Sequence, residues 1–129
     1  MNGKVLLDTN IIIALFARDS EVHRMLSATL EVFIPSIVIG ELFYGAYKSK
    51  DAQTNLSRVE DFARHSTVLP CDTTIAKQYG RIKHFLRSKG RPIPENDIWI
   101  AAIAHHYQLT LVTRDEHFKA IEPLSLAMW

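Results

Sequence analysis

The chain reads as an α/β protein: a three-layer α/β/α sandwich around a central, mostly parallel sheet of about five strands. Two observations predict this. Short apolar runs at 5–7, 32–34, 67–69 and 109–113 are continuous rather than alternating, as strands covered on both faces require. Between them lie longer segments whose apolar residues recur at three and four positions, the spacing of helices, and strand–helix alternation of this kind builds a parallel sheet. At 129 residues the chain suffices for one domain, 1–129, with a real core and no room for a second.

The first strand, in K-V-L-L-D-T-N at 4–10, ends at Asp8. Asn10 can cap the helix that follows, and the Thr9 hydroxyl can hold the turn between them. That helix, 11–17, is apolar all round and is expected to be buried on every side. A short helix from Asp19 or Ser20 turns Val22, Met25, Leu26 and Leu30 inward. The second strand, 32–34, stops at Pro35, and Ser36 can cap a helix carrying Val38, Leu42, Phe43, Ala46 and Tyr47. Ala52, Leu56, Val59 and Ala63 keep helical spacing before a third strand at 67–69. The cleanest amphipathic helix, 73–89, aligns Ile75, Tyr79, Ile82 and Leu86, and Gly90 is placed to end it. After a proline-bearing loop at 91–95, a nearly all-apolar helix runs from Asp97 to Tyr107. A fourth strand at 109–113 and a fifth at 124–128 complete the sheet.

Composition narrows the function. Fifteen Lys+Arg against fourteen Asp+Glu leave a formal charge of +1, so no global basic field announces nucleic acid and any such contact must be local. The single cysteine, Cys71, excludes an internal disulfide framework and suits a reducing compartment. The longest early apolar run, 11–17, is too short to span a bilayer, and the missing basic leader speaks against a signal peptide. The expectation is a cytoplasmic protein without a membrane partner.

The chemistry lies in four acids. Asp8 follows the first strand, and Asp115, in L-V-T-R-D, follows the fourth in the same way. Asp97, in P-E-N-D-I-W-I-A-A, opens the deepest helix. Glu41, in P-S-I-V-I-G-E-L-F-Y-G, is the only charge between Glu31 and Lys48 and aligns with Ile37, Val38 and Tyr44 on a half-buried face. Each has a plain structural use taken singly: the aspartates as helix N-terminal charges, Glu41 as one half of an ion pair. Together they fall at element ends that a parallel sheet brings to one rim, where such sheets hold ligands. Clustered carboxylates repel unless a cation neutralises them. An all-oxygen set without cysteine or an evident histidine suits Mg²⁺, with Mn²⁺ possible, rather than zinc. Such an ion can orient a water, lower its pKa and stabilise a phosphodiester under in-line attack.

The four segments L-L-D-T-N at 6–10, G-E-L-F-Y-G at 40–45, N-D-I-W-I-A-A at 96–102 and L-V-T-R-D-E-H-F at 111–118, in this order, resemble the PIN-domain ribonucleases. Among these the likeness is to VapC-type toxins of toxin–antitoxin pairs, and it covers essentially the whole chain. The resemblance implies a Mg²⁺-dependent endoribonuclease, a hydrolase of RNA phosphodiester bonds. Asp8 and Asp97 would be the main metal ligands. Asp115 would be a further ligand, and Glu41 would bind metal or position the attacking water. Thr9, Asn10, Asn96 and Thr113 would hold these carboxylates. It also implies a homodimer restrained by a cognate antitoxin lying in a groove near the acids. The apolar helices at 11–17 and 36–47, richer in apolar surface than a small sheet can cover, point to a partner independently.

Two other functions remain open at this stage: a catalytically silent binding or regulatory subunit of the same fold, and an aspartyl phosphatase using Asp8. The second would want a lysine after a later strand, where Arg114 stands instead. His105 and His106 lie well over about 10 Å along the helix from Asp97 and read as structural. His117 stands two residues beyond Asp115, and its role stays open. The basic run Arg81, Lys83, Arg87, Lys89 and Arg91 suits either a solvated helix face or an RNA backbone.

Overall fold

The structure is a computed structural model describing residues 3–129; the first two residues of the expected 1–129 domain lie outside the described residues. Five strands form one sheet in the order β3-β2-β1-β4-β5: β1 (Lys4–Leu7), β2 (Glu31–Pro35), β3 (Thr67–Leu69), β4 (Thr110–Thr113) and β5 (Leu126–Met128). Every pairing is parallel. Six α-helices flank it: α1 (Thr9–Phe16), α2 (Ser20–Ser27), α3 (Ser36–Tyr47), α4 (Ala52–Arg64), α5 (Thr73–Ser88) and α6 (Glu95–Tyr107), with a 3-10 turn at Glu116–Ala120. The architecture is the α/β/α sandwich expected, and its sheet is parallel throughout. Among the described residues, no helix is long and apolar enough to cross a membrane.

The topology decides where a ligand can sit. From the central β1 the chain builds β2 and β3 to one side, then returns through α5 and α6 to lay β4 against the other flank of β1. The direction of winding reverses between β1 and β4, so a crevice opens beyond their carboxyl ends. Register fixes what faces it: Leu6 pairs with Leu111 and Leu7 with Val112, which leaves Asp8 and Thr113 side by side at the mouth. Leu6, Leu7, Leu111 and Val112 are buried, as are Ile98 and the run Ile100 to Ala104 on α6. Apolar burial of this extent is the main force holding the two strand ends together.

Four local expectations are corrected. The cap of α1 is Asp8, whose carboxylate accepts from the Thr9 N–H, and Asn10 lies inside the helix. Ser36 likewise falls inside α3, whose cap position is Pro35, the last residue of β2 and without a side-chain cap bond. Helix α6 starts at Glu95, two residues before Asp97. Helix α1 is not buried on every side: Ile11, Ile12 and Ala14 are covered, but Ile13 is 56% exposed. Asn10 is instead drawn to Asp8, Thr113 and the Arg114 N–H, so its side chain serves the β1–β4 end and not the cap. Gly90 does end α5, with φ +66, a left-handed conformation in which glycine carries no Cβ penalty.

Candidate metal centre

The first residue past β1 remains in the ladder, since the Asp8 N–H donates to the Val112 carbonyl at 3.0 Å. This holds the Asp8 carboxylate over the end of β4. Its Oδ1 accepts from the Thr9 N–H at 2.8 Å, and its Oδ2 from Thr113 Oγ1 at 2.7 Å and Asn10 Nδ2 at 3.3 Å. Thr113 is fully buried and does more than donate: its hydroxyl oxygen also accepts from the Asp115 N–H at 3.0 Å and from Asn10 Nδ2 at 3.3 Å. One hydroxyl thereby ties Asp8 to the turn that carries Asp115. Arg114, between them, donates its N–H to Asn10 Oδ1, but its guanidinium turns away to Asp19 and the Trp129 carbonyl.

The other two acids come from helices. Glu41 on α3 accepts from Thr9 Oγ1 at 2.6 Å and from Asn96 Nδ2 at 3.4 Å, which links α3 to the starts of α1 and α6. Asp97, beside Asn96 on α6, faces the loop after β4. Its Oδ2 is 3.5 Å from His117 Nδ1, and the same nitrogen is 3.1 Å from Asp115 Oδ1. Among the described residues, the group whose candidate ligand atoms all lie within 4.8 Å of one another is Asp97, Asp115 and His117; the expected ligands Asp8 and Glu41 fall outside it. Thr9, Asn10, Asn96 and Thr113 each hydrogen-bond at least one of Asp8, Glu41 and the Asp115 backbone. From sequence His117 stood only as a neighbour of Asp115 with its role open, outside the set of site residues. The signal available was its place two residues after an acid in a capped turn, which is too common to stand alone.

The electrostatics are those of an uncompensated cluster. Burial raises the Asp8 pKa, the Thr113 and Thr9 hydrogen bonds pull it back, and the charges of Glu41 and Asp115 raise it further. Asp97 is pushed from 3.8 up to about 6, first by burial and then by the charge of Asp8, against the opposing His117 hydrogen bond. Among the described residues, no lysine or arginine lies within ion-pair distance of any of these four acids, and the one basic side chain that does is the His117 imidazole. Hard oxygen donors that repel one another, each supported from behind by a hydroxyl, amide or backbone N–H, suit a divalent cation.

The Asp97 shift carries a pH dependence. A carboxyl whose folded pKa exceeds its unfolded one favours the folded state while protonated, and that contribution disappears as pH rises from about 3.8 through about 6. Fully expressed, the displacement corresponds to about 3 kcal/mol; water reaching the half-buried group reduces it to roughly 1–2 kcal/mol. In chelator, Asp97→Asn should therefore gain stability relative to wild type between pH 4 and 6.5 and hold that gain above. Urea titrations of both proteins across this range measure the difference, and a difference flat with pH would contradict the assignment.

Thr113→Val tests the shared hydroxyl. It keeps the shape but leaves the Asp115 N–H without a partner and Asp8 Oδ2 with only the longer bond from Asn10. A loss of about 1–3 kcal/mol in stability and about 10–100-fold in divalent-cation affinity is expected, read by denaturant unfolding and calorimetry.

With this geometry described, comparison with known proteins is informative. The PIN domain pattern matches residues 5–123. The chain is 35% identical to Ribonuclease VapC2 of Haemophilus influenzae, with 98% of each chain covered. It is also 35% identical to the tRNA(fMet)-specific endonuclease VapC of Salmonella typhimurium, again with 98% of each covered. Among solved structures it is similar to VapBC2 of Rickettsia felis bound to a promoter DNA fragment, with TM-score 0.89, 32% identity and 97% and 98% coverage. A second is DNA-bound VapBC of Salmonella typhimurium, with TM-score 0.88, 34% identity and 100% and 99% coverage.

Proposed function

Because this chain belongs to the PIN-domain family, we propose that it is a divalent-metal-dependent endoribonuclease, the toxin of a toxin–antitoxin pair, working with Mg²⁺ or alternatively Mn²⁺. The observation that carries the proposal is the convergence of Asp8, Glu41, Asp97 and Asp115 on the β1–β4 crevice, backed by their hydroxyl and amide donors and unpaired with lysine or arginine among the described residues. Asp8, Asp97 and Asp115 would hold the ion. When bound, the ion supplies positive charge that offsets the carboxylates, acidifies a water and stabilises charge developing on the scissile phosphate.

The chain's own groups have separate work. Thr113 and Thr9 hold the Asp8 carboxylate so that little reorganisation accompanies reaction. Glu41 keeps a lone pair on each oxygen beyond those used by Thr9 and Asn96, and can orient an attacking water. A second opening adjoins the site: an apolar groove of about 240 Å³ between α1, α3 and α4, lined by Ile13, Phe16, Leu42, Ala46 and Val59 with Glu41 at its edge. Its apolar lining and exposed Ile13 suit an apolar segment of the antitoxin, which would lie beside Glu41 and so inhibit. The protein is further proposed to be a cytoplasmic homodimer, which light scattering on purified protein measures.

The test is incubation of antitoxin-free protein with total RNA and with initiator tRNA, in Mg²⁺ and in chelator, followed by mapping of new ends. New ends confined to the metal-containing reaction are expected. Cleavage unaffected by chelator would refute the metal dependence, and no cleavage in any RNA would refute the nuclease.

A further inference from the structure

Resting on the metal centre proposed above, we propose that His117 contributes an imidazole nitrogen to that centre, making it a mixed nitrogen–oxygen site that discriminates in favour of Mn²⁺ over Mg²⁺. Three observations on position support it. His117 Nδ1 lies 3.1 Å from Asp115 Oδ1 and 3.5 Å from Asp97 Oδ2, spacings that two donors to one ion also have. All three donor atoms fall within 4.8 Å of one another, close enough to share a single ion. The residue that carries the imidazole is also anchored through its backbone. Its backbone N–H donates to the same Asp115 oxygen at 2.9 Å, and the next residue, Phe118, is fully buried and anchors the 3-10 turn.

The geometry assigns the nitrogen as well. Nδ1 is the atom turned to the acids; it donates to Asp97 when no ion is bound, and in the ligating form the ring's remaining proton is on Nε2. The side chain is 54% exposed, so its outer part meets solvent. Metal identity then follows from donor type. Mg²⁺ prefers oxygen and gives up its waters reluctantly, whereas Mn²⁺ accepts imidazole more readily. A nitrogen added to carboxylates therefore raises Mn²⁺ affinity more than Mg²⁺ affinity. The same aspartates without the histidine would form the oxygen-only site expected from the four acids alone.

The test uses the whole protein loaded with Mn²⁺ and needs no RNA. Electron spin echo modulation should show a directly coordinated ¹⁴N in wild type, and the signal should vanish in both His117→Ala and His117→Gln. By competition titration, His117→Ala should weaken Mn²⁺ binding about tenfold or more while changing Mg²⁺ binding much less. Because the ring is exposed, both variants are expected to fold, and unfolding curves check this. Mn²⁺ bound without ¹⁴N modulation in wild type, or equal weakening of both ions in His117→Ala, would overturn the inference and leave the metal centre standing. Failure of wild type to bind either ion would overturn the metal centre itself, and this inference with it.

Discussion

Asp8→Asn and Asp97→Asn are each expected to lower RNA cleavage by at least about a thousandfold with the fold intact. The argument rests on where the charges lie. Asp8 joins the ends of β1 and β4, and Asp97 reaches the same place from α6. Replacing either carboxylate with an amide removes one negative oxygen from a site that works by concentrating them. It also places an N–H₂ where a cation should sit. The fold should survive because the lost charge is unfavourable in the metal-free state: burial and neighbouring acids raise both pKa values. The informative pairing is therefore opposite signs: activity lost while, in chelator above pH 6, stability is kept or increased. Cleavage at the wild-type rate in either variant, with Mg²⁺ present, would show that the acids are not the site. Loss of circular dichroism would show instead that they hold the fold.

The second large effect lies outside the acids. Phe118→Ala should cost about 3–5 kcal/mol of stability, the range for removing a fully buried aromatic ring. Phe118 is among the largest fully buried side chains, and it sits in the short turn between Asp115 and Ile121. That turn is held at one end by Asp115 accepting from the His117 N–H and by Thr113 accepting from the Asp115 N–H. The ring fixes the rest. Emptying its place should lower the urea midpoint without changing the slope, and should also weaken divalent-cation binding, since Asp115 and His117 lose their anchor. Phe118→Leu should recover most of both losses. If cation affinity were unchanged in a folded Phe118→Ala protein, the turn would be positioned by its polar contacts alone.

Much of this organisation is legible in the residues. Continuous apolar runs do not alternate because both sheet faces are covered, so β1, β2 and β4 announce themselves as strands of a buried parallel sheet. Asp8 and Asp115 then fall after strands by simple counting, and parallel topology places strand ends together. Thr9, Asn10, Asn96 and Thr113 were reachable only through the motif resemblance. Their hydrogen bonds join residues as far apart as Asp8 and Thr113, a pairing that no local pattern contains.

What the sequence by itself determined is the class of fold, the order of its elements and the four acids, because these depend on periodicity and on charges that interrupt apolar runs. Tertiary structure alone decided the rest. It turned Ile13 outward beside Glu41 and brought the His117 imidazole between Asp97 and Asp115. The reason is physical: side-chain direction at an element end follows from the packing of distant segments, and only the assembled β1–β4 crevice supplies it.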